Sequence, residues 1–159
     1  MKEQIFMKMA KDLAEFSKCI SLKVGCLIVN ERDRIISTGV NGSIPGYHNC
    51  NELFQDRCKE HTEWSSKFEI HAEMNSILEL ARNQSQFEKL DFYVTHSPCS
   101  NCLKHIMGLR SNNQSINRIV YGELHRHTTK ELLTEQKEFC NLFGTTLVSI
   151  EELNNVEVS

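Results

Sequence analysis

Residues 70–109 read IHAEMNSILELARNQSQFEKLDFYVTHSPCSNCLKHIMGL. Helical spacing over Ile70 to Ala81 gives way to the strand-like run Phe92-Tyr93-Val94-Thr95, and helical spacing resumes over Cys99 to Leu109. Downstream, Arg118 to Gly122 reads as a strand, Thr129 to Phe143 as a helix closed by Gly144, and Thr145 to Ile150 as a last strand. Strands alternating with helices in this half require crossover connections and therefore parallel strands. Upstream, Val24 to Val29 and Arg34 to Val40 flank the polar turn Asn30-Glu31-Arg32-Asp33, which predicts an antiparallel hairpin. The helical spacing of Ile5, Met9, Leu13 and Phe16 predicts an amphipathic helix near 3–18, with that stripe lying against the sheet. The resulting order, α-β-β-α-β-α-β-α-β, is an α/β chain built on a helix-flanked mixed sheet. One stretch resists this pattern. Residues 41–61 are polar and broken by Gly42, Pro45, Gly46 and Asn49, too long for an idle connection, so the loop is expected to carry function.

At 159 residues the chain fits one domain, 1–159, with enough length for a real core. Only 2 Pro and 7 Gly leave no linker-like stretch, and any disordered tail is expected in the last few residues alone. A net charge of -3 argues against a dedicated nucleic-acid binder but leaves room for a few cations around a small anionic substrate. No run reaches the length of a membrane span, and the charged start lacks a signal-peptide pattern, so cytoplasmic residence is the expectation. Seven cysteines would leave an odd thiol in an oxidising compartment; in a reducing one, thiols near His and acidic residues point to metal.

The chemistry concentrates in His71-Ala72-Glu73 and Pro98-Cys99-Ser100-Asn101-Cys102. Cys99 and Cys102, three apart at a helix start, share one face and can hold one ion. Pro98 suits the first turn of a helix, whose N-terminus favours the thiolate. His71 supplies a third ligand, and three protein ligands leave the fourth tetrahedral position of Zn²⁺ open, as a catalytic site requires. Glu73, two residues on, stands beside the metal without ligating it, where a proton shuttle belongs. H-x-E followed by P-C-x-x-C is a known zinc-deaminase signature, and the reading here is a match to that pattern. Taken singly, the C-x-x-C could be a redox pair or half a structural zinc site, and the histidine simply packed; their conjunction decides for catalysis.

These residues and their surroundings resemble the cytidine deaminase superfamily. Lys23-Val24-Gly25, Ile35 to Gly42, His61 to Lys67 and Glu69 to Asn75 are similar to its phage-type dCMP deaminases, over a stretch from about Lys18 to Tyr121. The resemblance implies a three-layer α/β/α fold with a five-stranded mixed sheet, and hydrolysis of dCMP to dUMP and ammonia, a step that supplies dTTP precursors. It implies that His71, Cys99 and Cys102 hold zinc, and that Glu73 carries protons from the attacking water to N3 of cytosine and to the leaving amine. Asn41 is the position expected to contact the sugar, although Asn-Gly is also simply a good turn. Ala72 and Ser97 join it in substrate binding, and Lys23, Tyr121 and His125 are candidates around the 5'-phosphate. A second, structural zinc is implied at Cys19, Cys50, His61 and Glu69, with Cys58 as an alternative to Glu69; buried apolar thiols are the plainer reading of Cys19 and Cys26. Gly42 and Arg82 match positions associated with subunit contacts and regulation, which implies a homohexamer with dCTP and dTTP as effectors. Competing readings are a deaminase of another branch, acting on free cytidine, guanine or tRNA adenosine, and a non-catalytic zinc module, for which Glu73 would have no use.

Overall fold

The computed structural model describes residues 1–157; the expectation about the last few residues falls on 158–159, outside the described residues. Five strands form the central sheet: β1 (Gly25–Asn30), β2 (Ile35–Val40), β5 (Lys89–His96), β6 (Ser115–Glu123) and β7 (Thr146–Ser149). Their order is β2-β1-β5-β6-β7. β1 is antiparallel to both β2 and β5, whereas β5, β6 and β7 run parallel, so the sheet is mixed as the α/β pattern predicts. The hairpin turn is closed by its own asparagine: Asn30 Oδ1 accepts from the backbone of Arg32 and Arg34, both at 3.0 Å.

Strand alternation sorts the core into two layers of side chains. Cys26, Ile28, Phe92, Val94, Ile119 and Tyr121 face one way, while Leu27, Val29, Tyr93 and Val120 face the other. The first set packs under α4 (Ala72–Asn83), α5 (Ser100–Met107) and α6 (Lys130–Leu142); the second lies under α1 (Lys2–Ala14) and α7 (Ile150–Glu157). This is the three-layer α/β/α architecture.

Helix α1 presents a different face from the one its sequence predicts. Met7, Ala10 and Ala14 are buried, whereas Ile5 is 56% exposed and Phe16, beyond the end of the helix, 73%. The reason is close backbone packing. A Cβ on Gly25 would stand 2.1 Å from the carbonyl oxygen of Ala10, so small residues mark the contact; of the expected stripe Leu13 still packs at the edge of the core, while Ile5, Met9 and Phe16 point away. Helix α4 sits on β2 by the same device, since a Cβ on Gly39 would lie 2.4 Å from Ala72 O. Ser37 Oγ, donating to Ser76 O at 2.6 Å, locks that seat.

The long connection is more ordered than its composition suggests. It holds β3 (Gly42–Ser43), α2 (Cys50–Leu53) and α3 (Lys59–Phe68), and β4 (Glu69–Ile70) pairs with β3. Tyr47, Phe54, Trp64 and Phe68 form an aromatic pile across it, with Tyr47 and Phe68 stacked at 4.7 Å. The strand expected to reach Ile150 stops at Ser149, where Ser149 and Glu152 exchange backbone–side-chain hydrogen bonds and start α7.

Candidate metal centres and the cleft between them

His71 is the N-cap of α4 and has extended backbone angles; its side chain makes no capping bond. The ring is therefore free to face α5. The helix start is anchored by Asn75, whose Nδ2 donates to Val40 O at 2.7 Å. Cys99 is the N-cap of α5, its sulfur accepting from the Cys102 backbone N–H at 3.4 Å, so Pro98 precedes the cap instead of opening the helix. His71 Nδ1 lies 3.4 Å from Cys102 Sγ and 3.7 Å from Cys99 Sγ. Bond lengths of about 2.0 Å to nitrogen and 2.3 Å to sulfur in a tetrahedron put such atoms about 3.6 Å apart, so the donor set fits zinc.

The electrostatics agree with that fit. A hydrogen bond from the Cys102 thiol, together with those from His71 and the helix N-terminus, pulls Cys99 down to about 3 against the opposing effect of burial. Cys102, beside that thiolate and buried, is pushed up, and one dication would relieve both. Glu73 is 4% exposed, and burial pushes its carboxyl up to about 7. A carboxyl poised there can exchange a proton at neutral pH.

A second group lies where the long connection meets α1's exit. The ligand atoms of Cys19, Cys50, His61 and Glu69 all fall within 4.8 Å of one another. Cys50 Sγ is 3.1 Å from His61 Nε2, and Cys19 Sγ is 3.6 Å from Glu69 Oε2, which Ser65 Oγ also contacts. Burial, with the nearby Glu69 and Cys19 adding to it, pushes Cys50 up to about 11, and Glu69 Oε1 is buried without a hydrogen-bond partner. Two thiols, an imidazole and an orphaned carboxylate oxygen again suit zinc. Cys58 is not in the group; its sulfur caps α3 by accepting from His61 N. Cys26 is a buried thiol that accepts from Ser76 Oγ at 3.4 Å.

The first group opens onto a cleft of about 630 Å³. Asn41, Ala72, Ser97 and His125 line it. Asn41 also clamps its own surroundings, accepting from Val24 N at 2.8 Å and donating to Leu22 O at 2.7 Å. Ser97 Oγ accepts from His125 N at 2.8 Å and meets Thr128 Oγ1, which ties the 125–128 loop to the end of β5. Two expectations fail. Lys23 is turned outward to Glu15 at 3.3 Å, and Tyr121 belongs to the core, 4% exposed. Neither lines the cleft, because the strand's alternation turns Tyr121 under the helices and the surface carboxylate draws Lys23 away. Instead Arg126, His127 and His96 line it beside His125, with Arg126 Nη2 donating to Ser21 Oγ at 2.9 Å. The run His125-Arg126-His127 after β6 was the signal for them. Gly42 pairs with Ile70 at the rim of the cleft without lining it, and Arg82 pairs with Glu79 at 3.4 Å, away from the cleft.

Known proteins resemble this chain over most of its length. The profile of the cytidine and deoxycytidylate deaminase zinc-binding region matches residues 1–123. The deoxycytidylate deaminase of Enterobacteria phage T4 is 35% identical over 79% of this chain and 79% of its own. The ComE operon protein 2 of Bacillus subtilis is 34% identical over 93% of this chain and 70% of its own. Among solved structures, the dCMP deaminase of cyanophage S-TIM5 in complex with dCMP and dUMP superposes with a TM-score of 0.73, covering 93% of this chain and 96% of that one at 23% identity, a likeness of fold. With its profile match spanning both halves of the H-x-E and P-C-x-x-C pair, the chain belongs to the cytidine and deoxycytidylate deaminase family.

Proposed function

We propose that the protein is a zinc-dependent deoxycytidylate deaminase, hydrolysing dCMP to dUMP and ammonia. The observation that carries this reading is a buried glutamate beside a group of one histidine and two cysteines, at the floor of a cleft whose wall also carries Arg126. His71, Cys99 and Cys102 would hold the catalytic zinc; Cys19, Cys50, His61 and Glu69 would hold a second, structural one. Zinc at the first site supplies a Lewis acid that lowers the pKa of a water.

The chain's own residues do the rest. Glu73 takes a proton from the attacking water, delivers one to N3 of the cytosine, and later carries one to the amine that leaves C4. Atoms balance as dCMP plus water giving dUMP plus ammonia. Arg126, with His125 and His127, would hold the 5'-phosphate by charge-assisted hydrogen bonds, and Asn41 would keep the sugar's side of the cleft in shape. His125, lowered by burial and by its cationic neighbours, serves there as a neutral donor or acceptor. Ala72 and Ser97 complete the wall through backbone and loop contacts.

The rest of the reading follows the family resemblance: a homohexamer regulated by dCTP and dTTP through the segments near Gly42 and Arg82, resident in the cytoplasm. Among the described residues no helix is long and apolar enough to cross a membrane. A single domain, 1–159, is supported by one continuous sheet that draws strands from residues 25 to 149.

Ammonia release from dCMP, deoxycytidine and a tRNA anticodon stem tests the assignment. We expect turnover of dCMP alone at high efficiency. Arg126→Ala should cut kcat/KM for dCMP about 10- to 100-fold, the worth of one charged hydrogen bond, and leave the weak reaction with deoxycytidine unchanged. Equal turnover of nucleoside and nucleotide by the unaltered protein would remove dCMP as the substrate.

A further inference from the structure

The family match ends at residue 123, and beyond the loop that carries His125, Arg126 and His127 a further side chain, from α6, reaches the site. Gln136 lies midway along α6, is 3% exposed, and lines the cleft. Its Nε2 donates to Pro98 O at 3.2 Å and to Ser100 Oγ at 3.3 Å. Those two residues flank Cys99. Only the NH₂ end of an amide can face a carbonyl, so Pro98 O fixes which way the side chain turns. Its other end, Oε1, is buried with no hydrogen-bond partner.

That orphaned oxygen makes the residue informative. Leaving a buried acceptor unpaired costs about 1–3 kcal/mol, and a methionine of the same length would avoid the cost. Packing alone therefore does not call for glutamine at this position. What glutamine offers, and methionine does not, is a pair of N–H donors aimed at the two residues on either side of a metal-ligand sulfur. The peptide from Pro98 to Ser100 leaves β5 and caps α5, and its position sets where Cys99 Sγ stands relative to His71 Nδ1.

We infer that Gln136 is a positioning residue: from α6 it grips both sides of Cys99 and holds that sulfur in register with His71 and Cys102. The inference rests on the reading of those three side chains as zinc ligands. It extends the functional unit into α6. It also gives α6 a task besides covering the sheet, since the same side chain borders both the main cleft and a smaller groove between α5 and α6.

The test uses the full chain loaded with zinc, and a parallel sample loaded with cobalt(II), whose visible bands report ligand geometry. Gln136→Met keeps the volume and removes the donors; Gln136→Glu, assayed at a pH where the carboxyl is ionised, keeps oxygen acceptors and removes the donors. Both should lower kcat for dCMP about 10-fold with KM changed less than about twofold. Both should also speed, by a similar factor, the chelator-driven zinc loss that tracks inactivation, and shift the cobalt bands. Unchanged kcat, zinc loss and cobalt bands would overturn the proposal, as would a rise in KM alone, which belongs to a substrate contact. Should the Met and Glu variants not fold, Ser100→Ala removes one of the two acceptors at an exposed position; about 2- to 3-fold faster zinc loss is expected, and none would overturn it. The unaltered protein in the same assay separates the two levels: inactivity or a lack of zinc there sinks the enzyme reading, whereas normal behaviour with indifferent variants sinks Gln136 alone.

Discussion

The two Cys/His groups are made of nearly the same donors and differ in what closes them. Cys19, Cys50 and the two ends of α3, His61 and Glu69, come from three separate stretches of chain and offer four ligand atoms, three of the residues being buried. His71, Cys99 and Cys102 come from two helix starts and offer three, facing a cleft. A four-donor set drawn from distant chain segments completes a tetrahedron and staples a loop; a three-donor set leaves one corner for chemistry. What teaches the difference is Glu73 against Glu69: two buried or half-buried carboxylates, one beside its group and one within it.

The largest expected effect breaks the comparison at Glu73. Glu73→Gln should reduce kcat for dCMP by about 10³-fold while elemental analysis finds the zinc content of the unaltered protein; a fall in zinc would place this carboxylate among the ligands. Next comes the closed group. Cys50→Ala should lower zinc from two equivalents per chain to one and cost about 3 kcal/mol, on the order of 10 °C in Tm, with residual activity below the new transition. One equivalent in the unaltered protein would dissolve the comparison altogether. The smallest effect is a control on the opposite face of the sheet, where Arg118 Nη2 meets Asp91 at 2.9 Å and Glu3 at 3.1 Å. Burial tends to raise the Glu3 carboxyl, but backbone and Arg118 hydrogen bonds outweigh it and hold it below its ordinary value of 4.5. A lowered carboxyl stabilises the fold fully above its ordinary value and loses that contribution as pH falls on through the lower value it has in the folded state. Glu3→Gln should therefore cost about 1 kcal/mol near neutral pH and nothing in acid, in denaturant titrations, with zinc and turnover untouched.

Much of this was legible in the chain because the signals are local. H-x-E and P-C-x-x-C each sit within five residues, and the unbroken aromatic and β-branched run Phe92 to Thr95 marks a strand without any knowledge of its neighbours. The face of α1 was not legible, since what decides it is the approach of Ala10 to Gly25, and small residues weigh little in a hydrophobic pattern. Helix α3 was hidden because its polar surface and the preceding glycines read as loop, while its inward side is an aromatic pile and a histidine. Lys23 and Tyr121 carry the charge and hydroxyl that a phosphate site wants, but which way a side chain turns depends on its surroundings, the Glu15 carboxylate for one and the buried face of β6 for the other. Gln136 carries no local signal at all; a glutamine in a helix is ordinary until two helices and a strand end bring it to Cys99.

Gly39 has a consequence for how deep the reaction can occur. Because main chain rests on main chain where α4 crosses β2, the height of Glu73 above the sheet is set by atoms common to every residue and is insulated from side-chain drift in the surrounding layers. A single added methyl at that crossing would lift the helix like a shim, carrying the imidazole away from the sulfurs and the proton carrier away from the base together. The tolerance of the whole catalytic floor is thus concentrated in one missing carbon.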